Sequence, residues 1–175
     1  MKIRIGFLLL YLLIAFPCLI IAQERAILDW SFFKNDRPAD VKYQAYTWSN
    51  VGYRYKPLKS DGDKMEIQFT VTFKMDIAKS YCEVSQIKAN NLKLLKHEQG
   101  HADIGFIYAM KLKKLFESTS FSKVNYQQEI KNIWTNVFSE MTNEQARYDI
   151  ETNHLHNVKV QKQWDLYFEE ATRIN

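Results

Sequence analysis

The chain has 175 residues, with 24 Lys and Arg against 20 Asp and Glu and a formal net charge of +4. That is the size of one domain, and 46% hydrophobic with 25% charged residues excludes a disordered chain. Five Gly and three Pro exclude collagen-like and low-complexity architectures, and so small a positive charge gives no reason to expect nucleic acid as a partner.

Residues 1–22 read MKIRIGFLLLYLLIAFPCLIIA. Lys2 and Arg4 are followed by an uncharged run from Ile5 to Phe16, a helix-breaking Pro17 and a small residue, Ala22. This pattern predicts a secretory signal peptide and export to the periplasm or the medium; an uncleaved membrane anchor is the alternative. Residues 23–175 then form a single domain. Cleavage removes Cys18 and leaves Cys82 alone, so no intrachain disulfide can form, and Cys82 reads as a small buried residue.

The first part of the domain is β-rich. Met65, Ile67, Phe69, Val71, Phe73 and Met75 alternate with polar residues at the period of two that marks a strand with one buried face. Lys59–Asp63 reads as a turn before it, and Val41–Tyr55 as earlier strand. From about Ser85 the period becomes helical. Leu94, Ile104, Tyr108, Leu112 and Phe116 mark a first helix, Ile130, Trp134, Val137, Met141 and Tyr148 a second, and Val160, Trp164 and Phe168 a shorter third. Lys111, Lys113 and Lys114 form a solvated face. Strands first and helices after predict an α+β fold: a small N-terminal antiparallel β-sheet packed on a helical C-terminal part.

Chemistry concentrates in His97-Glu98-Gln99-Gly100-His101, an H-E-x-x-H motif within the first helix. Residues four apart share a helix face, so the two imidazoles can turn to one point and supply half of a tetrahedral zinc site. Glu98, about 100° around the helix, is placed to act as general base on a zinc-activated water rather than as a ligand. A third ligand must come from elsewhere. His154 is the expected one, on an antiparallel return of the chain, with Glu151 and His156 as alternatives. Asp103 and Asp149 are candidates to hold a ligand imidazole by its other nitrogen, and equally readable as surface or capping carboxylates. Tyr148 is a candidate oxyanion donor, against the simpler reading of a core tyrosine.

The run Leu94–Ile104, with Tyr148-Asp149, Thr152-Asn153-His154, Gln161, Trp164 and Lys79-Ser80, resembles the domain of unknown function 922 family. Its members are bacterial exported proteins to which zinc-dependent protease activity is ascribed from the motif. The resemblance implies zinc ligands at His97, His101 and His154, a catalytic Glu98, and a zincin-like arrangement with a small sheet beside the active-site helix. Two positions depart from the family pattern: Leu155 stands where Gly is usual, and Ala102 where an aromatic is common.

The expected function is therefore an exported zinc metallopeptidase acting on a peptide or protein, with an edge strand from residues 65–75 holding the substrate by strand addition. The alternative is a non-catalytic, metal-stabilised binding module of the cell envelope, its metal closed by four protein ligands.

Overall fold

A computed structural model describes residues 24–173, so the expected leader lies outside the described residues. A 3-10 turn at Trp30–Phe32 is capped by Asp29, whose carboxylate accepts the amide of Ser31. Five strands follow in chain order: β1 (Ala45–Tyr46), β2 (Ser49–Asp61), β3 (Lys64–Met75), β4 (Tyr81–Cys82) and β5 (Phe121–Ser122). The helices are α1 (Val84–Lys88), α2 (Leu92–Ser118), α3 (Tyr126–Thr152) and α4 (Val158–Ala171). The class is α+β, with antiparallel strands in the N-terminal half and helices in the C-terminal part. Only β5, a two-residue strand between α2 and α3, breaks that segregation. Among the described residues no helix is long and apolar enough to cross a membrane.

The strands form two antiparallel sheets, β2-β3-β5 and the short ribbon β1-β4. The β2–β3 hairpin is longer and tighter than the sequence pattern implies. β2 continues through Lys59, Ser60 and Asp61, and the turn shrinks to Gly62-Asp63. Gly62 takes φ 55°, the left-handed backbone that two-residue hairpins ask of their first loop residue. The register sets Val51 opposite Phe73, Tyr53 opposite Val71 and Tyr55 opposite Phe69.

That register delivers one face of β3 to α2. Ile67, Phe69, Val71 and Phe73 pack onto a core containing Ile104, Leu112, Phe116, Ile130 and Val137. Phe69 and Phe116 stack at 4.3 Å between ring centroids. Burying each such aromatic stabilises the fold by about 2–3 kcal/mol. Gly105 makes the approach of the sheet tolerable, since a Cβ there would fall 2.8 Å from the Phe73 ring and also strike Ser49. A second, smaller cluster lies under the ribbon: Leu28, Phe33, Ala45, Cys82, Leu94 and Ala102, with Leu155 packed against it. Cys82 is fully buried there, and burial pushes its thiol up to about 12, so it is a packing residue with no thiolate at neutral pH.

Candidate metal centre

The first turns of α2 carry the motif. Asn91 caps the helix by accepting the amide of Leu94, and one turn later His97 and Glu98 enter the interior, each 3% exposed. His97 and His101 present their rings 4.9 Å apart on one face. α3 packs along α2 and ends with Gln145, Tyr148, Asp149 and Thr152, spaced so that all four share a face. Asp149 Oδ1 stands 3.2 Å from His97 Nε2 and 3.1 Å from His101 Nε2. Ligand atoms of these three residues lie within 4.8 Å of one another. Tetrahedral zinc ligands, each about 2.0–2.1 Å from the ion, stand about 3.3 Å apart, so both histidine–carboxylate distances fit edges of such a site.

The other face of each imidazole is also held. His97 Nδ1 donates to Gln161 Oε1 at 3.2 Å, and His101 Nδ1 to Gln145 Oε1 at 2.5 Å. Both amide orientations are fixed by what their nitrogens find: Gln145 donates to the carbonyl of His101, and Gln161 to the Tyr148 hydroxyl and Asp165. An imidazole whose Nδ1 proton is committed in this way turns Nε2 towards the metal position. Burial alone would lower the pKa of His101, but the hydrogen bond to Asp149 and the charges of Glu98 and Asp149 hold it up at about 9. Burial would likewise raise the Asp149 carboxyl, yet hydrogen bonds from His101 and His97 hold it well below the ordinary carboxylate range.

Tyr148 builds the wall behind the two histidines. Its ring stacks on His97 at 4.7 Å and meets His101 edge-on at 5.0 Å. Its hydroxyl donates to the carbonyl of His97 and accepts from Gln161. Fully buried and committed at both lone pair and proton, Tyr148 is a core and positioning residue, not an oxyanion donor. Gly100 is what lets it in, because a Cβ there would collide with the Tyr148 ring and hydroxyl and with Phe168. Both variable positions of the motif are thus accounted for. Gln99 bonds the backbone of Ala26 and Leu28 and the carboxylate of Asp103, on the side of α2 away from the histidines. Asp103 is 2% exposed and takes a two-pronged bond from Arg25, both contacts 2.7 Å, so it holds the N-terminal segment instead of an imidazole.

The remaining candidates separate cleanly. His154 Nδ1 lies 3.3 Å from Asp149 Oδ1, and its ring tilts against Tyr43 at 4.8 Å. It stands one step out from the three converging ligand atoms, as a partner of the carboxylate. His156 lines the same cleft. Glu151 points elsewhere, accepting the indole N–H of Trp164 at 2.9 Å. The turn carrying His154 is strained: Asn153, His154 and Leu155 have φ of 47°, 46° and 73°. Such left-handed residues cost about 1–2 kcal/mol each when they carry a Cβ. Leu155 therefore keeps the backbone a glycine would favour, while its side chain joins the second cluster.

His97, His101 and Asp149 open into a cleft of about 460 Å³, also lined by Lys42–Tyr46 and by Asn153–His156. Strand 65–75, expected to hold a substrate, contributes nothing to that wall; β1 does, with its outer edge unpaired among the described residues. The reason lies in tertiary packing, since β3 spends its apolar face on the core beneath α2. Glu98 lines the cleft, and its Oε2 is buried with no hydrogen-bond partner; Thr47 Oγ1 is the other such side-chain atom among the described residues.

Sequence reasoning missed Gln145 and left Asp149 between the outer support of an imidazole and a surface or capping carboxylate, whereas its carboxylate converges with His97 and His101. A signal existed in the spacing Gln145, Tyr148, Asp149, Thr152, which continues the apolar stripe of α3 with residues able to form a buried polar face. The family model for bacterial proteins of unknown function, DUF922, matches residues 28–157, from Leu28, whose amide Gln99 accepts, to the turn beyond His154. No curated protein and no solved structure matches. The motif helix, Asp149 and the strained turn all fall within that match, and the chain belongs to the DUF922 family.

Proposed function

We propose that this protein is an exported zinc-dependent metallopeptidase. The observation that carries the reading is the buried, unpartnered Oε2 of Glu98 in the cleft that holds His97, His101 and Asp149. A carboxylate oxygen buried without a partner costs about 1–3 kcal/mol or more, a cost that makes sense where a reacting group supplies the missing bond. His97, His101 and Asp149 would hold the ion, two imidazoles and a carboxylate being a donor set that zinc favours, and His154 would orient the carboxylate. Bound there, zinc supplies Lewis acidity, making a water acidic near neutral pH and polarising a carbonyl.

The chain's own residues do the rest. Glu98 takes the proton of the attacking water at Oε2 and later gives it to the departing amine nitrogen. Tyr148, Gln145 and Gln161 keep both imidazoles from rotating. The unpaired edge of β1 offers backbone donors and acceptors to an extended peptide lying along the cleft.

A second reading, a closed structural metal site, draws on the place of His154 beside Asp149. It has no use for the orphaned Glu98 oxygen. Zinc content and peptide hydrolysis measured together decide between them. Glu98→Gln should bind zinc like the wild type and lose at least about 10²-fold in hydrolysis. His97→Ala and Asp149→Ala should lose the metal, while His154→Ala should weaken it only about 10–100-fold. Zinc lost as completely in His154→Ala as in Asp149→Ala, with no hydrolysis by the wild type, would establish the closed site instead.

A further inference from the structure

Peptide hydrolysis at this site leaves one task without a residue. As water adds to the carbonyl carbon, the π pair moves onto the carbonyl oxygen, and a fixed donor aimed at that oxygen commonly contributes about 10²–10³-fold. Tyr148 is excluded by its two hydrogen bonds and its burial. Two other phenols line the cleft, Tyr43 and Tyr46. Tyr43 is turned against His154 at the rim.

Tyr46 is held differently. It lies on β1, whose neighbouring Ala45 packs in the cluster that contains Leu94, one turn before Glu98 on α2, so the strand is packed against the motif helix. Its ring is held on both sides, stacked on Tyr81 at 5.7 Å and tilted against Trp48 at 5.9 Å. Its hydroxyl, on a residue 39% exposed, makes no hydrogen bond among the described residues, whereas that of Tyr148 is engaged twice. Burial, then the charges of Glu98 and Asp149, raise the phenol above its ordinary value, so it remains a proton donor at neutral pH and sits in the field of both carboxylates.

We propose that Tyr46 is the oxyanion donor, its free hydroxyl on the cleft wall bonding the substrate carbonyl oxygen as negative charge collects there. The inference rests on the peptidase reading. Tyr46 keeps its proton throughout: the water proton passes to Glu98, the C–N bond breaks as the carbonyl re-forms, and Glu98 protonates the leaving nitrogen.

The test uses zinc-loaded full-length protein and a quenched fluorescent peptide chosen from casein fragments that the wild type cleaves. Tyr46→Phe keeps the ring and its packing on Trp48 and Tyr81. It should lower kcat about 10²–10³-fold with KM and zinc content within about twofold, whereas Tyr55→Phe on β2 should match the wild type. A phosphinic peptide, which presents a tetrahedral oxyanion, should bind Tyr46→Phe at least about tenfold more weakly. Undiminished kcat in Tyr46→Phe beside an inactive Glu98→Gln overturns the role of Tyr46 and leaves the peptidase standing. A kcat loss accompanied by loss of zinc makes Tyr46 structural and also overturns it. A zinc-bound wild type that cleaves nothing removes the peptidase reading, and Tyr46 as donor with it.

Discussion

Along α2 the stretch up to Asp103 buries His97, Glu98 and Asp103, whereas the stretch from Ile104 onward buries Ile104, Phe106, Leu112 and Phe116. The exposure of the two halves is alike and their energetics are opposite. The later half gains stability from apolar area and depends on residues of the sheet that lie against it. The earlier half costs stability unless each polar group finds a partner, and the partners come from far along the chain: Gln161 and Asp149 for His97, Gln145 and Asp149 for His101, Arg25 for Asp103. Only Glu98 keeps an unpaired oxygen. A single helix thus separates its apolar packing from its buried polar groups by position along its axis.

Three experiments test that separation. The largest effect should come from Phe116→Ala in the later half, destabilising by about 3–5 kcal/mol in urea unfolding of the zinc-bound protein, with zinc affinity unchanged. A matching loss of affinity would show that the halves are coupled. The next concerns the metal-free protein. His101, raised to about 9, contributes stability that is complete below about 6.5 and disappears as pH climbs through 9. Asp149, held low, contributes above about 3.8 and loses its contribution on acidification through its depressed pKa. These are two ends of one interaction and count once. Between pH 6.5 and 9 the metal-free protein should lose up to about 3 kcal/mol, seen as a falling Tm, while added zinc should stabilise more as protons stop competing. A flat Tm over that window would separate His101 from Asp149. The smallest effect belongs to Gly100→Ala: about 1–3 kcal/mol of overpacking against Tyr148, with zinc affinity weakened about 10–100-fold through the displaced imidazoles. Unaltered affinity would free the ligands from their tyrosine wall.

The motif helix, the alternating strand and the stripes of α3 and α4 were legible because their periods are local properties of the chain. The C-terminal half of α2 reads as core for the same reason. What escaped was set by partners remote in sequence. β1 and β4 are two residues each, too short to carry a period, yet β1 forms the cleft wall. Asp149 follows His101 by 48 positions, and its carboxylate meets the histidines only because α3 lies along α2. His154 was singled out as a histidine; its backbone, left-handed together with its two neighbours, depends on how α3 ends and α4 begins. Gln99 and Gly100 look interchangeable in the motif, and only the packed molecule shows that one grips residues 26–28 and the other admits Tyr148.

The grip of Gln99 and Asp103 on residues 25–28 also sets a timetable. Arg25 is 78 positions ahead of Asp103, and His97 waits on Gln161, a further 64 positions along. A growing chain therefore exposes residues 25–28 long before their socket exists, and makes both motif histidines before Gln145, Asp149 and Gln161 can orient them. Closing such distant loops is slow, and it comes late. The surroundings of the two histidines are complete only once Gln161 has been made, so a chain that stops short of it holds His97 without the amide that orients its ring.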